Sequence, residues 1–144
     1  MDNRFYLHWF QGFETALSAL DEANLGALMT HCGRACSASF SKQVYVEQHR
    51  EAADLDDFIE KLNRAFGDMD ARRLSENEIE INYTYCTCDL VRKGYVTDPK
   101  LCLCSLKSLQ YNWESVLGPG SVSCRMERSI LRGDAHCRFI VKLL

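Results

Sequence analysis

The chain has 144 residues, of which 47% are hydrophobic and 26% charged, and its formal net charge is -3. This length suits one domain with a real hydrophobic core. The charges are interleaved without a basic stripe, which argues against nucleic acid and against polybasic attachment to a membrane, and no stretch reaches the roughly twenty apolar residues of a membrane helix. We therefore predict a single domain, residues 1–144, that binds neither nucleic acid nor a membrane.

Residues 1–67 are predicted to be mainly helical. Apolar side chains recur at helical spacing over residues 5–20, where Asp2 or Asn3 is available as a cap, and again over residues 25–40. A third helix begins after Asp54, and Gly67 can end it. The segment 67–75 has the composition of a loop that joins the two halves.

In residues 76–144 the spacing of apolar residues changes from mainly helical to mainly the alternation of strands. The run EIEINYTY alternates apolar and polar residues as a strand does, and a helical face follows from Leu101 until the sequence GPG stops it. Two alternating runs, 122–130 and 137–143, flank the turn sequence RGDA and predict a hairpin. We predict an α+β fold, in which N-terminal helices pack with a small antiparallel sheet in strand-helix-strand-strand order.

Eight cysteines are many for a chain with this much apolar residue content. The N-terminal sequence MDNRF lacks the features of a secretory signal, so we expect a cytoplasmic, reducing environment in which disulfides are disfavoured. Metal ligation or thiol chemistry is the expectation that remains.

Four of the cysteines lie in the segment YCTCDLVRKGYVTDPKLCLCS, as the two Cys-x-Cys pairs Cys86/Cys88 and Cys102/Cys104. Each pair can present two sulfurs to one point, and thiolates bind zinc tetrahedrally or hold iron-sulfur clusters. A further pair, Cys32 and Cys36, stands four apart in a predicted helix, so both thiols share a face. We predict a bound metal, zinc before an iron-sulfur cluster.

Two alternatives stay open for the thiols. Cys124 and Cys137 alternate in step with the apolar residues of their strands, so they share the covered face, where a cysteine acts as a small core residue. Cys102 and Cys104 begin a helix, whose dipole lowers a thiol pKa and favours nucleophilic chemistry. His31 or His136 would then serve as the base.

Aromatic residues could line a ligand pocket between the helix and the sheet. The candidates are Tyr83, Tyr85 and Trp113. Glu127 falls on the opposite parity from Met126, so it faces solvent or a pocket. For most of these aromatic residues, a place in the core is the simpler role.

The last sixty residues resemble the 4-vinyl reductase domain, a small-molecule-binding module, and the related family of L-2-amino-thiazoline-4-carboxylate hydrolases. A Cys opens a helix that ends near LG, a strand with Glu follows, and the chain ends with Gly-Asp-x-x-Cys-x-Phe from Gly133 to Phe139. The resemblance implies an α+β fold around an apolar ligand pocket. It also implies zinc ligands at Cys104, Glu127 and Cys137, while the family's remaining ligand position holds Ile130. Cys86, Cys88 and Cys102 could complete a differently built site.

Together these patterns predict a cytoplasmic, Cys-rich metal-binding domain with a small-molecule pocket, of the sensor or carrier type. The alternative is a hydrolase of the thiazoline type that uses a metal-bound water or a cysteine. The expected cofactor is zinc and the expected partner is a small molecule. A homodimer is left open.

Overall fold

The computed structural model describes residues 3–144. Four helices come first, then two strands, two helices and two strands. They are α1 Arg4–Ala19, α2 Glu22–Ser39, α3 Ser41–Glu51, α4 Leu55–Ala65, β1 Met69–Arg73, β2 Glu78–Tyr83, α5 Asp89–Arg92, α6 Cys102–Leu117, β3 Val122–Arg128 and β4 Cys137–Leu143. Helices precede and pack with a small antiparallel sheet, which confirms the predicted α+β class.

The sheet has the strand order β1-β2-β4-β3, and every neighbouring pair is antiparallel. One face packs against α6, α3 and α4 around Trp113 and Phe58, both of which are fully buried. The rings of Trp113 and Phe58 meet edge to face with centroids 5.4 Å apart. The core therefore lies between the helices and a single face of the sheet.

Two predicted helix signals are confirmed, at the start of α4 and at the end of α6. Asp54 caps α4 by accepting a hydrogen bond from the Asp57 amide at 2.8 Å. α6 begins at Cys102 and ends before Gly118, which has φ of 106°. At α1, Asn3 occupies the cap position without a side-chain hydrogen bond, and Asp2, the other predicted cap, lies outside the described residues.

Four expectations need correction. The predicted loop over 67–75 contains β1, whose sequence MDARR has too few alternating apolar residues to indicate a strand. Helix α3 was not predicted, because its polar sequence leaves only Tyr45 buried. The strand predicted to reach Tyr85 ends at Tyr83, and Ile130 lies in a 3₁₀ turn because a bulge at the end of β3 breaks the alternation.

The open face of the sheet carries a chain of ion pairs. Glu80 is buried there. Its carboxylate oxygens form ion pairs with guanidinium nitrogens of Arg72 at 2.6 Å and of Arg138 at 2.9 Å. Arg138 also pairs with the carboxylate of Glu127 at 2.8 Å, and Glu127 in turn pairs with Arg125 at 3.2 Å. Burial opposes ionisation of Glu80, but its hydrogen bond from Arg138 and the charges of both arginines lower its pKa below the ordinary value.

Helices α2 and α6 approach each other closely at Gly33. A Cβ at Gly33 would lie 2.8 Å from the carbonyl oxygen of Cys104, from the Cβ of Lys107 and from the amide nitrogen of Ser108. One turn further along α2, the buried Ser37 hydroxyl donates to Oδ1 of Asn112 on α6. Only glycine permits this approach, which places the two helices in direct contact.

Within residues 3–144, no helix has the length and apolar character needed to span a bilayer.

Replacing Gly33 with alanine should lower the free energy of unfolding by about 1–3 kcal/mol, because the added methyl group overlaps backbone atoms of α6. Gly26→Ala on the same helix is the matched control. Its Cβ would meet nothing within 4 Å, so the better helix propensity should stabilise by up to about 1 kcal/mol. Urea unfolding of both variants checks this, and equal effects would contradict it.

Replacing Glu80 with glutamine should lower the free energy of unfolding by about 2 kcal/mol, because two arginines lose a charged acceptor. The control is Glu60→Gln, which removes an exposed pair with Arg64 and should change stability by less than about 0.5 kcal/mol. Since the pKa of Glu80 is lowered in the fold, its contribution is present above about pH 4.5 and is lost as the pH falls through the folded-state pKa. Unfolding at pH 7 and at pH 3 should show the difference between wild type and variant shrinking.

Candidate functional site

Seven cysteines, on four parts of the chain, contribute to the thiol pKa shifts around the start of α6. The residues concerned are Cys32, Cys36, Cys86, Cys88, Cys102, Cys104 and Cys137, and we call this set the thiol patch. α2 supplies two of them, the segment before α5 two, the first turn of α6 two, and β4 one. These are the seven residues singled out from the sequence.

The segment that carries Cys86 and Cys88 is anchored from both ends. It follows the last residue of β2, and Cys88 forms the N-cap of α5. Beyond α5, Val96 is fully buried, and the Asp98 amide donates to the Glu14 carboxylate of α1 at 3.2 Å. The segment is therefore held between β2 and α1.

Cys32, Cys36, Cys88 and Cys104 form the outer group of the thiol patch. Burial first, then the nearby Cys36, Cys32 and Cys88 thiols, raise the pKa of Cys104 to about 12. Burial and then Cys88 likewise raise the pKa of Cys36, although a hydrogen bond with Ser108 opposes them. Cys104 is thus the thiol on which the other three act.

Cys86, Cys102 and Cys137 form the inner group. The Cys102 sulfur lies 3.2 Å from the Ser129 hydroxyl, and the Cys137 sulfur accepts from the Ile130 amide at 3.4 Å. Burial first raises the pKa of Cys102, as do Cys137 and Cys86, while Ser129 and Arg132 act in the opposite direction.

Cys86 connects the two groups. Burial raises its pKa first, and it interacts with Cys88 of the outer group and Cys137 of the inner group, while the positive charge of Arg92 lowers the pKa. Each Cys-x-Cys thus contributes one thiol to each group. For Cys102 and Cys104 this follows from the helix, since residues two apart on an α-helix point to different sides.

The expected activation of Cys102 and Cys104 by the helix start is wrong. Both thiols have raised pKa values, because desolvation outweighs the helix dipole at these buried and half-buried positions. The two histidines considered as bases lie apart from each other: His31 is exposed on α2, and His136 lines a groove on the open face of the sheet.

Zinc and iron-sulfur clusters favour thiolate ligands, and the donor set of the thiol patch suits them chemically. Across residues 3–144, however, no three Cys, His, Asp or Glu side chains converge as a ready-made metal site. The sulfurs would have to reorient about an ion. Cys124 stands apart from the patch: it packs against the core, as its strand parity predicts, and burial raises its pKa to about 12.

The four residues predicted to contact a ligand are not brought together. Trp113 is fully buried in the core, and Tyr83 packs edge to face on Phe139 with centroids 6.0 Å apart. Tyr85 is half exposed beyond the end of β2. Glu127 belongs to the ion pairs of the open face, on the other side of the sheet from Trp113.

A groove of about 540 Å³ lies on the open face of the sheet. Its lining residues are Asp70, Arg72, Glu80, Asn82, Thr84, Arg128, Ala135, His136 and Arg138. The Oδ1 atom of Asn82 is buried there without a hydrogen-bond partner in the structure. Sequence reasoning missed this groove, because its residues come from all four strands, from Thr84 just after β2 and from the turn before β4, and no local pattern indicates that they meet.

Sequence reasoning also missed the polar residues that hold the thiols. Ser129 is fully buried beside Cys102, and its amide donates to the Asp134 carboxylate at 2.8 Å, which fixes the turn before β4. Asp134 belongs to the turn sequence RGDA that was predicted between the last two strands, and its side chain bonds the backbone of that turn. Nothing in the sequence around Ser129 distinguishes it from a surface serine.

No model of a protein family matches the chain, and no curated protein matches it. Among solved structures, the chain is similar to the crystal structure of a trafficking protein particle complex subunit 3 from Naegleria fowleri covalently bound to palmitic acid. The two share 12% sequence identity and a TM-score of 0.49, over 96% of this chain and 92% of the other. A similarity at this level carries no argument about function.

The raised thiol pKa values predict how stability depends on alkaline pH. An unfolded thiol ionises near pH 9, whereas Cys104 and Cys124 hold their protons to about pH 12 in the fold, so the unfolded state loses protons first. The free energy of unfolding should therefore fall as the pH rises from 9 towards 12. We expect Cys104→Ala and Cys124→Ala each to make this fall less steep than in the wild type. Urea unfolding with a reductant present measures the slopes, and parallel slopes for wild type and variants would contradict the assignment.

Proposed function

We propose that the protein is a cytoplasmic, Cys-rich metal-binding domain that takes up a zinc ion through the thiol patch and acts as a sensor or carrier. The observation that supports this most strongly is the assembly of seven thiols from four parts of the chain. A cysteine that only fills a core needs no second thiol beside it. A reactive cysteine needs a low pKa, whereas burial raises the pKa of five thiols, namely Cys36, Cys86, Cys102, Cys104 and Cys124.

The outer group is the better candidate for the ion. It contains four thiols, the number that a closed zinc site uses, and the other three raise the pKa of Cys104. Cys36 is exposed, while Cys32, Cys88 and Cys104 are half-buried, so an ion can reach them from solvent. When bound, zinc would hold the four sulfurs as thiolates and release their protons, which makes binding stronger as the pH rises.

Positive side chains near the patch would offset part of the charge of bound thiolates. Arg92 at the end of α5 acts on Cys86, and Arg132 in the turn before β4 acts on Cys102. The inner group would then support the outer group and could supply replacement ligands, an arrangement that suits transfer of an ion between protein partners.

The groove on the open face is the proposed site for a small molecule. Its polar lining suits a charged or hydrogen-bonding compound better than an apolar one. The hydrolase alternative stays a prediction. His136 lines the groove on one side of the sheet, whereas Cys137 of the inner group points to the covered side, so no thiol and histidine pair is assembled there.

Metal titration of the reduced protein tests the proposal. We expect about one zinc per chain, and we expect Co²⁺ at the same site to show the intense near-ultraviolet absorption of thiolate ligation. Cys104→Ser should weaken zinc binding by at least about tenfold, measured by competition with a chelator.

Cys124→Ser is the matched control, because Cys124 is also half-buried with a pKa raised to about 12 but lies outside the thiol patch. This variant should bind zinc as the wild type does. Native protein with no metal uptake and eight freely titrating thiols would overturn the proposal, as would equal losses in both variants.

A further inference from the structure

The groove on the open face is built on one row of residues that crosses all four strands. Asp70 on β1 lies opposite Asn82 on β2, and Asn82 lies opposite Arg138 on β4. Arg138 in turn lies opposite Arg128 on β3. Neighbouring strands are about 4.8 Å apart, so the row spans about 14 Å between the Cα atoms at its ends. The groove volume of about 540 Å³ is typical of a site for a small molecule.

A β-bulge brings Arg128 into this row. Along β3, the side chains of Val122, Cys124 and Met126 pack against the core, and unbroken alternation would turn Arg128 the same way. The register shifts between Met126 and Arg128, so that Arg128 pairs with Arg138 and lines the groove instead. Bulges commonly re-aim a side chain next to a functional site. The sheet is therefore irregular at the position that adds an arginine to the groove.

Arg128 is the arginine of the groove that is left for a ligand. Glu80 pairs with Arg72 at 2.6 Å and with Arg138 at 2.9 Å, and Glu127 pairs with Arg138 at 2.8 Å. Within the part of the chain that the structure describes, no carboxylate forms an ion pair with Arg128. Like charges on directly opposite residues destabilise a sheet. An anion bound beside Arg128 would offset its repulsion from Arg138.

The other end of the row offers hydrogen-bond acceptors. Asp70 is exposed, and its carboxylate is 4.0 Å from Nε of Arg72, which is a long ion pair. Oδ1 of Asn82 is buried without a hydrogen-bond partner, which costs free energy until a donor reaches it. The last side-chain torsion of asparagine is soft, so this oxygen can turn towards a donor in the groove. An ammonium group, with three N–H donors and no acceptor, suits this end.

We propose that the groove binds a small zwitterion of amino-acid size. Its carboxylate pairs with the guanidinium of Arg128, whose planar fork matches both carboxylate oxygens, and His136 just before β4 lies on the same side. Its ammonium group lies between the Asp70 carboxylate and Oδ1 of Asn82. A simple carboxylic acid or a simple amine would leave one end of the row unpaired. This inference rests on the proposed function, in which the groove holds the small molecule, and it names the class of that molecule.

Saturation-transfer NMR on the reduced wild-type protein tests the inference, with the common protein amino acids and 4-aminobutanoate as probes. We expect at least one of these zwitterions to bind. The analogue of the best probe without its amino group, and the analogue without its carboxylate, should each bind at least about tenfold more weakly. Each analogue leaves a hydrogen bond to a charged group unmade.

Two variants locate the two ends of the bound molecule. Arg128→Gln should weaken binding of the zwitterion by at least about tenfold, because the carboxylate loses its charged partner. Asn82→Ala should weaken binding of the zwitterion but not of its analogue without the amino group, because only the ammonium group contacts Asn82. Circular dichroism checks that both variants are folded.

Lys142→Gln is the matched control for Arg128→Gln. Lys142 is exposed on β4, two strand positions of the same face beyond the row, and it does not line the groove. The control removes the same charge as Arg128→Gln and should bind the zwitterion as the wild type does. Equal losses in the two variants, or no loss in Arg128→Gln, would overturn the proposed contact.

The inference is also overturned if none of the probes binds, or if the analogue without an amino group binds as tightly as the zwitterion. In the latter case the groove remains a site for a small molecule, and only the class of ligand is wrong. None of the three altered residues belongs to the thiol patch, so zinc titration of these variants should match the wild type. A failure of zinc uptake in the wild type would concern the proposed metal site and leave the groove untouched.

Discussion

The contact between α2 and α6 at Gly33 is the constraint on which the candidate site depends. Three atoms of α6 lie 2.8 Å from the place where a Cβ would stand, so any side chain there would push the helices apart. Cys32 precedes this contact and Cys36 lies almost one turn beyond it, which brings both thiols beside Cys104. The buried hydrogen bond between Ser37 and Asn112 fixes the register of the two helices.

Helix α6 also links the outer group to the sheet. Its first turn sends Cys104 towards α2 and Cys102 towards the turn before β4, because residues two apart on a helix point to different sides. The same helix buries Trp113 three turns later, against the core that covers one face of the sheet. The thiol patch is therefore positioned by rigid elements on three sides, and only the segment carrying Cys86 and Cys88 is irregular.

The sequence was sufficient for elements with strong periodicity or clear ends. α4 was predictable from the Asp54 cap and α6 from the GPG stop, whereas α3 and β1 bury too few residues to leave a pattern. Spacing singled out the cysteines, but it predicted that each Cys-x-Cys would act as a unit. Which thiols meet depends on the approach of α2 to α6, and that approach rests on one glycine whose role no local pattern reveals. The groove was equally unpredictable, since four strands and a turn contribute to it.

Clustered thiols cost the fold less than other groups of metal ligands would. Seven clustered carboxylates would repel one another and would need an ion to fold around, but a thiol with a raised pKa is neutral at pH 7 and packs as a small apolar group. The core, the ion pairs across the open face and the contact of α2 with α6 are made without thiolates. Under the proposed function, a metal taken up here would displace thiol protons at a surface that these other contacts hold in place. That is the property required of a carrier or a sensor, and it differs from a zinc finger, in which the ion is needed for folding itself.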